Sequence, residues 1–546
     1  MERFFHHVLS TKPGVPYSHA DMDLYVTAVS LVVLYILKRL LLEKGPSEPL
    51  PPGPKPLPIV GNIRDLPSGD RPDWLHWLKH KDIYGPISTV TVFGQRIIIL
   101  NEIQLAMELL EKRSAVHSDR PEMPFARLCG WADTLAMLGY SKRFNAYRRN
   151  IHREIGSKVS VARFTSTQEV EVRRFLLRVL DNPQDLLDHT RKLAGAVILK
   201  ITYGYSIEPL DRDPLVDLAD EALEGFSLAA RPGTWLVDFA PILRYIPAWF
   251  PGAGFQRTAK AFHKLTQAHC EVPFAFVKQQ MSQPNYEPSY VSHLLGEKPI
   301  PPGSPEEIAI KWSAAALYGG GADTTVSAIS SFFLTMALFP EAQRTAQEEI
   351  DRVIGPHRLP GYADREKLPY VEALVKEALR WHPVGPMGIP HRSINHDVCN
   401  GYFIPKGSII LANIWAFCHD PTEYANPMAF QPERFLGKTP ERDPHHISFG
   451  FGRRVCPGRI IADANIYLTI VQALAAFTTG KVMKDGKEAD INPEFLPGLI
   501  SHPAPFEVDI KVRSKQYEEL IRAVETEHPW ENKHTQILRD ILVEAA

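Results

Sequence analysis

The chain has 546 residues, with 61 Lys plus Arg against 63 Asp plus Glu and a formal charge of −2. That balance lacks the basic surplus of a nucleic-acid binder, so no nucleic-acid partner is expected. Apolar residues make up 44% and charged residues 23%, ordinary proportions that supply a sizeable core. The five cysteines, at 129, 270, 399, 418 and 456, form no C-x-x-C pair, and there is no N-x-Ser/Thr sequon. Both observations favour a reducing compartment over a disulfide framework.

Leu24 to Leu37 is an uncharged, mainly apolar run of 14 residues, reaching 19 if taken through Leu42. That approaches the roughly 20 residues needed to cross hydrocarbon, with Lys38 and Arg39 able to snorkel. A cleaved signal fits poorly, because the front flank is acidic (Asp21, Asp23) and no small-x-small site follows. The expectation is an N-terminal segment, 1–44, carrying a transmembrane anchor at about 24–42. Lys38, Arg39 and Lys44 behind it orient the bulk of the chain to the cytosol. Pro46 to Pro58 is too rich in proline for helix and predicts a stiff, extended hinge over 45–60. Ile87–Val92 and Arg96–Leu100 then read as two strands of a hairpin around Phe93-Gly94-Gln95.

Tyr140 to Arg149 is basic and aromatic, as in a solvated helix face or a docking face for an acidic partner. Trp235 to Phe255 is rich in aromatics, prolines and glycines, which ordinary core packing explains. Ser304-Pro305-Glu306-Glu307 is a strong helix start. The apolar pattern runs from there to Phe339 before Pro340, 35 residues or about 52 Å as one helix. Asp323 is its only charge after Trp312, so the helix must be almost wholly buried. A membrane span is the rival reading. A central Asp costs roughly 2.5–3.5 kcal/mol to insert, and each of Gly319, Gly320 and Gly321 costs about 1 kcal/mol relative to Ala in a helix.

Leu368 to Trp381 predicts an amphipathic helix on which Glu377 and Arg380, three apart, are surface neighbours. Pro383 to His391 predicts a strand, with Val384, Met387 and Ile389 as candidate pocket residues. The stretch Phe449-Gly450-Phe451-Gly452-Arg453-Arg454-Val455-Cys456-Pro457-Gly458-Arg459 puts a lone cysteine among glycines and arginines, ahead of an apolar helical pattern from Ile460 to Phe477. A helix start and neighbouring arginines favour thiolate over thiol. With no second cysteine nearby, such a thiolate makes a poor zinc site and a good axial ligand for haem iron. A Gly-rich loop around a buried free cysteine is the bland alternative. After Gly480 the chain turns strand-rich to about Val512, with Leu496 to Ile500 able to close a pocket. Residues 513–546 read as a charged amphipathic tail.

Phe449, Gly452, Arg454, Cys456 and Gly458 fill the spacing F-x-x-G-x-R-x-C-x-G, which resembles the haem-binding loop of the cytochrome P-450 superfamily. The resemblance covers Pro51 to Val512. Gly320-Gly321-Ala322-Asp323-Thr324-Thr325 matches the family's [AG]-G-x-[DE]-T-[TS] segment, where the long helix opens over the haem to bind oxygen. Glu377, Arg380 and Arg434 (in Pro432-Glu433-Arg434-Phe435) resemble its Glu–Arg–Arg structural network. Where the family usually has W-x-x-x-R, with both residues reaching a haem propionate, this chain has Phe144 and Arg148, and Phe has no indole N–H to donate.

The resemblance implies a mainly α fold with a small β-rich lobe. Haem b lies between the long central helix and the cysteine loop of a catalytic domain at 61–512. Cys456 is the metal ligand, and Phe449, Gly452, Arg454, Gly458, Arg148 and His391 bind the cofactor, with Arg392 a second candidate for a propionate. Asp323 and Thr324 carry the catalysis: Thr324 holds the distal oxygen and Asp323 relays protons. The hinge sets the pose against the membrane, and the aromatic segment forms the roof of a substrate entrance. The implied protein is a single-pass endoplasmic-reticulum monooxygenase. It takes electrons from NADPH through a separate cytochrome P-450 reductase and inserts one atom of O2 into a lipophilic molecule. Its texture looks most like filamentous-fungal members of specialised-metabolite pathways, with polyketide, terpenoid or alkaloid substrates. A haem-thiolate isomerase or dehydratase, and a haem sensor or ligand carrier, are the alternatives. An intact Asp323-Thr324 pair argues against both.

Overall fold

The computed structural model describes Thr27, Ser30 and residues 47–69, 71–209, 211–231, 233–530, 534–538 and 541. The anchor expected at 24–42 therefore lies, except for Thr27 and Ser30, outside the described residues. The chain divides into two compact units, one of residues 1–49 with 400–403 and one of residues 50–399 with 404–546. The second carries the core and the site.

Helices dominate this unit. In chain order, those used below are α1 (Asp73–Tyr84), α2 (Lys142–Ile155), α3 (Thr165–Asp181), α4 (Leu186–Tyr203), α5 (Pro214–Ala229), α6 (Gly254–Gln280), α7 (Pro305–Ala322), α8 (Thr324–Leu338), α9 (Pro340–Val353), α10 (Pro369–Trp381), α11 (Arg459–Ala476) and α12 (Lys515–Arg522). The β-rich part is a mixed sheet of β1 (Ile87–Val92), β2 (Gln95–Leu100), β3 (His391–Arg392) and β4 (Ile409–Ala412), in the order β1-β2-β4-β3. β1 and β2 form the hairpin expected, with Val92 opposite Gln95 and positive φ at Phe93 and Gly94. β2 runs parallel to β4, and β3 antiparallel to it. A second pair joins β5 (Phe477–Lys481) to β6 (Val508–Val512). From Pro52 the proline-rich stretch lies along β1 rather than standing free: Thr89 N–H donates to the Pro52 carbonyl, and a side chain at Gly53 would run into the Thr89 carbonyl.

Local chemistry starts the helices where their caps stand. Ser141 accepts from Phe144 N–H to begin α2, and Ser304 accepts from Glu307 N–H to begin α7, with Pro305 at the first position. The Glu307 carboxylate takes the Gly303 N–H. The central helix is not one rod: it breaks at Asp323 (φ −104°, ψ −41°) into α7 and α8. Thr324 Oγ1 donates to the Gly320 carbonyl at 2.6 Å, competing for the acceptor of the helical ladder one turn back. Gly321 sits where α7 crosses α4; a Cβ there would be 2.6 Å from Ile198 Cγ1. Thr325 to Ala337 are buried without a break.

One expectation is corrected. Pro383 to Pro390 is a run of turns rather than a strand, and only His391 and Arg392 pair. Pro383, Pro386 and Pro390 lack the N–H a ladder needs, and Gly388 has φ 57°. The C-terminal stretch is integrated into the body. Ser514 caps α12, Tyr517 and Ile521 are buried, and Arg174 of α3 lies 4.4 Å over the Trp530 ring. The aromatic segment packs at one end and is exposed at the other, and none of its described residues lines the cavity between the α7–α8 break and the cysteine loop. Trp235 stacks on Phe125 at 3.6 Å, whereas Tyr245 and Trp249 are 69% and 80% exposed. Among the described residues, α11 is the one helix long and apolar enough to cross a membrane, and it is mostly buried in the core.

Candidate functional site

A cavity of about 390 Å³ lies between the α7–α8 break and the cysteine loop. Its wall includes Cys456, Phe449, Gly458, Arg454, Arg148, His391, Asp323 and Thr324, bringing together residues as far apart in the chain as Arg148 and Gly458. Gly452 is the exception among the loop residues. Its φ is 51°, its N–H donates to the Glu111 carboxylate, and a side chain would collide with the Leu110 carbonyl. Its glycine character lets the loop pack against the Leu110–Ser114 segment and contributes no wall. Val384, Ile389, Leu499 and Ile500 also line the cavity. Met387 instead faces a small neighbouring pocket with Trp77 and Leu411.

Cys456 N–H donates to the Phe449 carbonyl at 2.8 Å, closing the loop two residues ahead of the Gly458 cap of α11. Burial pushes the thiol up; the Gly458 N–H, Arg148 and Arg459 pull it down without reversing the sign. The helix start and the arginines do favour thiolate, as expected, and in the unligated thiol burial outweighs them. The other four cysteines are buried, and none lines the cavity.

One edge of the cavity is cationic. Arg148 Nη1 donates to the Val455 carbonyl at 2.6 Å, beside the cysteine. Arg454 donates from Nε to Ser118 (2.6 Å) and from Nη2 to Leu138 (2.8 Å), while its buried Nη1 has no partner. Arg120, which the sequence reading missed, donates to the carbonyls of Ala136, Ile389 and Pro390 and is buried against the same wall. Only its place in Asp119-Arg120-Pro121, a charge next to a rigid turn residue, marks it in the sequence. Burial lowers all three arginines, Arg454 to about 10; Arg454 adds repulsion at Arg120, Arg148 at Arg454, and Arg459 at Arg148. None pairs with a carboxylate among the described residues. Asp119, the acid close by, is taken by Arg392 at 2.6 Å and by Tyr140 N–H. Arg392 is therefore not a wall residue: alternation along β3 turns His391 to the cavity and Arg392 away. His391 Nδ1 meets the His117 carbonyl at 2.8 Å. Burial and the charges of Arg120 and Arg454 hold its imidazole well below the usual range, hence neutral.

Behind the cysteine loop, Glu377 accepts from Arg380 at 2.7 and 2.9 Å, from Arg434 at 3.2 Å and from Gln431 N–H at 2.7 Å. All three side chains are at most 3% exposed. Arg380 spends its other donors on the Cys418, Pro427 and Ala429 carbonyls. The triad thereby ties α10 to the segment before the loop.

A lone wall cysteine, unpaired guanidiniums on one edge and a broken helix opposite fit a flat dianionic macrocycle whose metal takes a sulfur ligand. That combination defines an oxidoreductase of the haem-thiolate class. The chain belongs to the cytochrome P-450 family, whose model matches residues 51–510, and it is a monooxygenase. It is 51% identical over 514 residues to a cytochrome P-450 monooxygenase of Aspergillus oryzae, covering 93% of this chain and 97% of the relative. It is 44% identical over 513 residues to the O-methylsterigmatocystin oxidoreductase of Aspergillus flavus, covering 93% and 96%. A multifunctional cytochrome P-450 monooxygenase of Aspergillus fumigatus is 44% identical over 498 residues, covering 90% and 93%.

Proposed function

We propose that the chain inserts one oxygen atom of O2 into a lipophilic small molecule of fungal secondary metabolism, a polyketide, terpenoid or alkaloid. Haem b would be bound at Cys456, and NADPH would supply electrons through a separate cytochrome P-450 reductase. The observation that carries this reading is the single cavity in which Cys456, the cationic edge and the Asp323–Thr324 break face one another. When bound, the haem-thiolate group supplies the iron at which O2 is reductively activated.

The chain's own residues do the rest. Cys456 loses its proton to become the metal ligand, and Gly458 N–H, Arg148 and Arg459 stabilise the charge that burial opposes. Arg120, Arg148 and Arg454 hold the propionates, giving Arg454 Nη1 its missing acceptor. Gly320 has no atom within 4 Å of where a Cβ would stand, which leaves room over the ring. Asp323 moves protons into the cavity. The Thr324 hydroxyl, by leaving the Gly320 carbonyl, is free to position a water or the reacting oxygen. Leu223, Phe226, Val384, Ile389 and Leu499 offer an apolar wall that orients a lipophilic substrate and excludes water.

Residues 24–42 would anchor the protein singly in the endoplasmic-reticulum membrane. The exposed Leu236, Ile242, Tyr245, Trp249 and Phe250 support contact of the catalytic body with a lipid surface. Reductase-supplied membranes carrying the protein, given a fungal metabolite extract, should consume NADPH and O2 together and yield products heavier by one oxygen atom. Conversion without NADPH would instead establish an isomerase or dehydratase. Cys456→Ala should lose turnover and the red-shifted Soret band of the reduced carbon monoxide complex. Deleting residues 1–44 should release part of the protein from membranes with its spectrum unchanged.

A further inference from the structure

Asp323 is the only acidic residue on the cavity wall among the described residues, and its ion-pair partner is not on that wall. His502 Nε2 lies 2.8 Å from Asp323 Oδ1, with the two side chains 27% and 23% exposed. The histidine reaches this position because its loop is clamped to the same helix. Ser327, one turn after Asp323, donates from Oγ to the Ser501 carbonyl at 2.5 Å. Ser501 N–H donates to Val384 at 2.9 Å, and Ser501 Oγ meets His382 Nε2 at 3.0 Å. Leu496 N–H donates to the His502 carbonyl at 2.8 Å. With residue 501 fixed on both sides, residue 502 has little choice but to face the helix break. The other charges around the pair are Asp220 of α5, which senses Asp323 and is held by Arg191 of α4 at 3.1 Å, and the neutral, buried His382.

We propose that His502 is the positioning residue for Asp323. Its imidazole holds the carboxylate at the helix break and recharges it from the solvent side, so that protons enter the cavity through an Asp323–His502 pair. The step balances without any further reagent. The proton on His502 Nε2 passes to Asp323 Oδ1, the carboxyl releases it to an acceptor in the cavity, and the neutral imidazole regains one from water. This inference rests on the monooxygenase reading, in which Asp323 delivers protons.

Two measurements on the full-length haem-loaded protein test it. The first needs no turnover. Carbethoxylation of His502, followed by peptide mass spectrometry at fixed pH, should be slow in the parent and severalfold faster in Asp323→Asn, because the carboxylate no longer holds the imidazole. An equal rate in both would overturn the pairing. In the second, His502→Gln with reductase should keep haem uptake and substrate KM. Its kcat should fall by about tenfold or more, with a larger solvent isotope effect than the parent. His502→Asn is measured beside it, so that one variant failing to fold leaves the other. Loss of haem uptake by both, or kcat and isotope effect equal to the parent's, would overturn the proposal. If Asp323→Asn slows turnover and His502→Gln does not, this inference alone falls. If Asp323→Asn also turns over at the parent rate, the proton-delivery reading of Asp323 falls with it.

Discussion

The guanidinium of Arg454 lies 4.0 Å over the ring of Phe144. Phe144, which has no indole N–H to donate, meets through its face the arginine whose Nη1 is left without a partner at the cavity. A cation over an aromatic face contributes roughly 0.5–2 kcal/mol, more where water is excluded. Phe144 is 3% exposed.

Phe144→Leu keeps apolar volume and removes the face. It should lower stability by about 0.5–2 kcal/mol and speed loss of haem to apomyoglobin. A parent-like transfer rate would mean that the ring only fills space.

Glu377→Gln leaves Arg380 and Arg434 buried with their shared counter-charge gone. Breaking a buried pair in this way costs about 3–5 kcal/mol. The expected result is an earlier denaturation midpoint and a low haem-to-protein ratio. A fully loaded variant with the parent midpoint would show that the carbonyls of Cys418, Pro427 and Ala429 suffice to hold Arg380.

Thr324→Ala removes the hydroxyl that donates to the Gly320 carbonyl. Alanine suits a helix, so folding and haem binding should persist. Product formed per NADPH should fall and peroxide should rise. Unchanged coupling would assign the hydroxyl to the helix carbonyl alone.

His445 bridges Asp443 (2.7 Å) and Asp463 (2.9 Å) and stacks on Phe449, ahead of the cysteine loop. The two carboxylates outweigh burial and raise it from 6.5 to about 9, while His445 and Arg365 bring Asp463 down to about 2 despite its burial. A histidine raised on folding stabilises fully below its unfolded value and loses that contribution as pH climbs through the folded one. Stability should therefore decline between about pH 6.5 and 9. The amplitude, with the pair partly open to water, is on the order of 1–3 kcal/mol. His445→Gln should flatten that slope in denaturation series across pH. A slope identical to the parent's would place the titration elsewhere.

Short-range pattern carried a large part of the fold and site into the sequence. The cap at Ser304, the hairpin at Phe93-Gly94 and the spacing from Phe449 to Gly458 act over one or two turns, where the chain has few alternatives. Glu377 and Arg380 were adjacent by helical geometry alone. What only the tertiary structure decided was the choice of partner across long separations. Asp323 meets His502 because Ser327 and Val384 clamp the loop before it. Arg392 turns to Asp119 and leaves the cavity edge to Arg120. Each depends on which surfaces are buried together. A charged side chain in that setting takes whichever partner survives desolvation, and linear spacing does not encode the outcome.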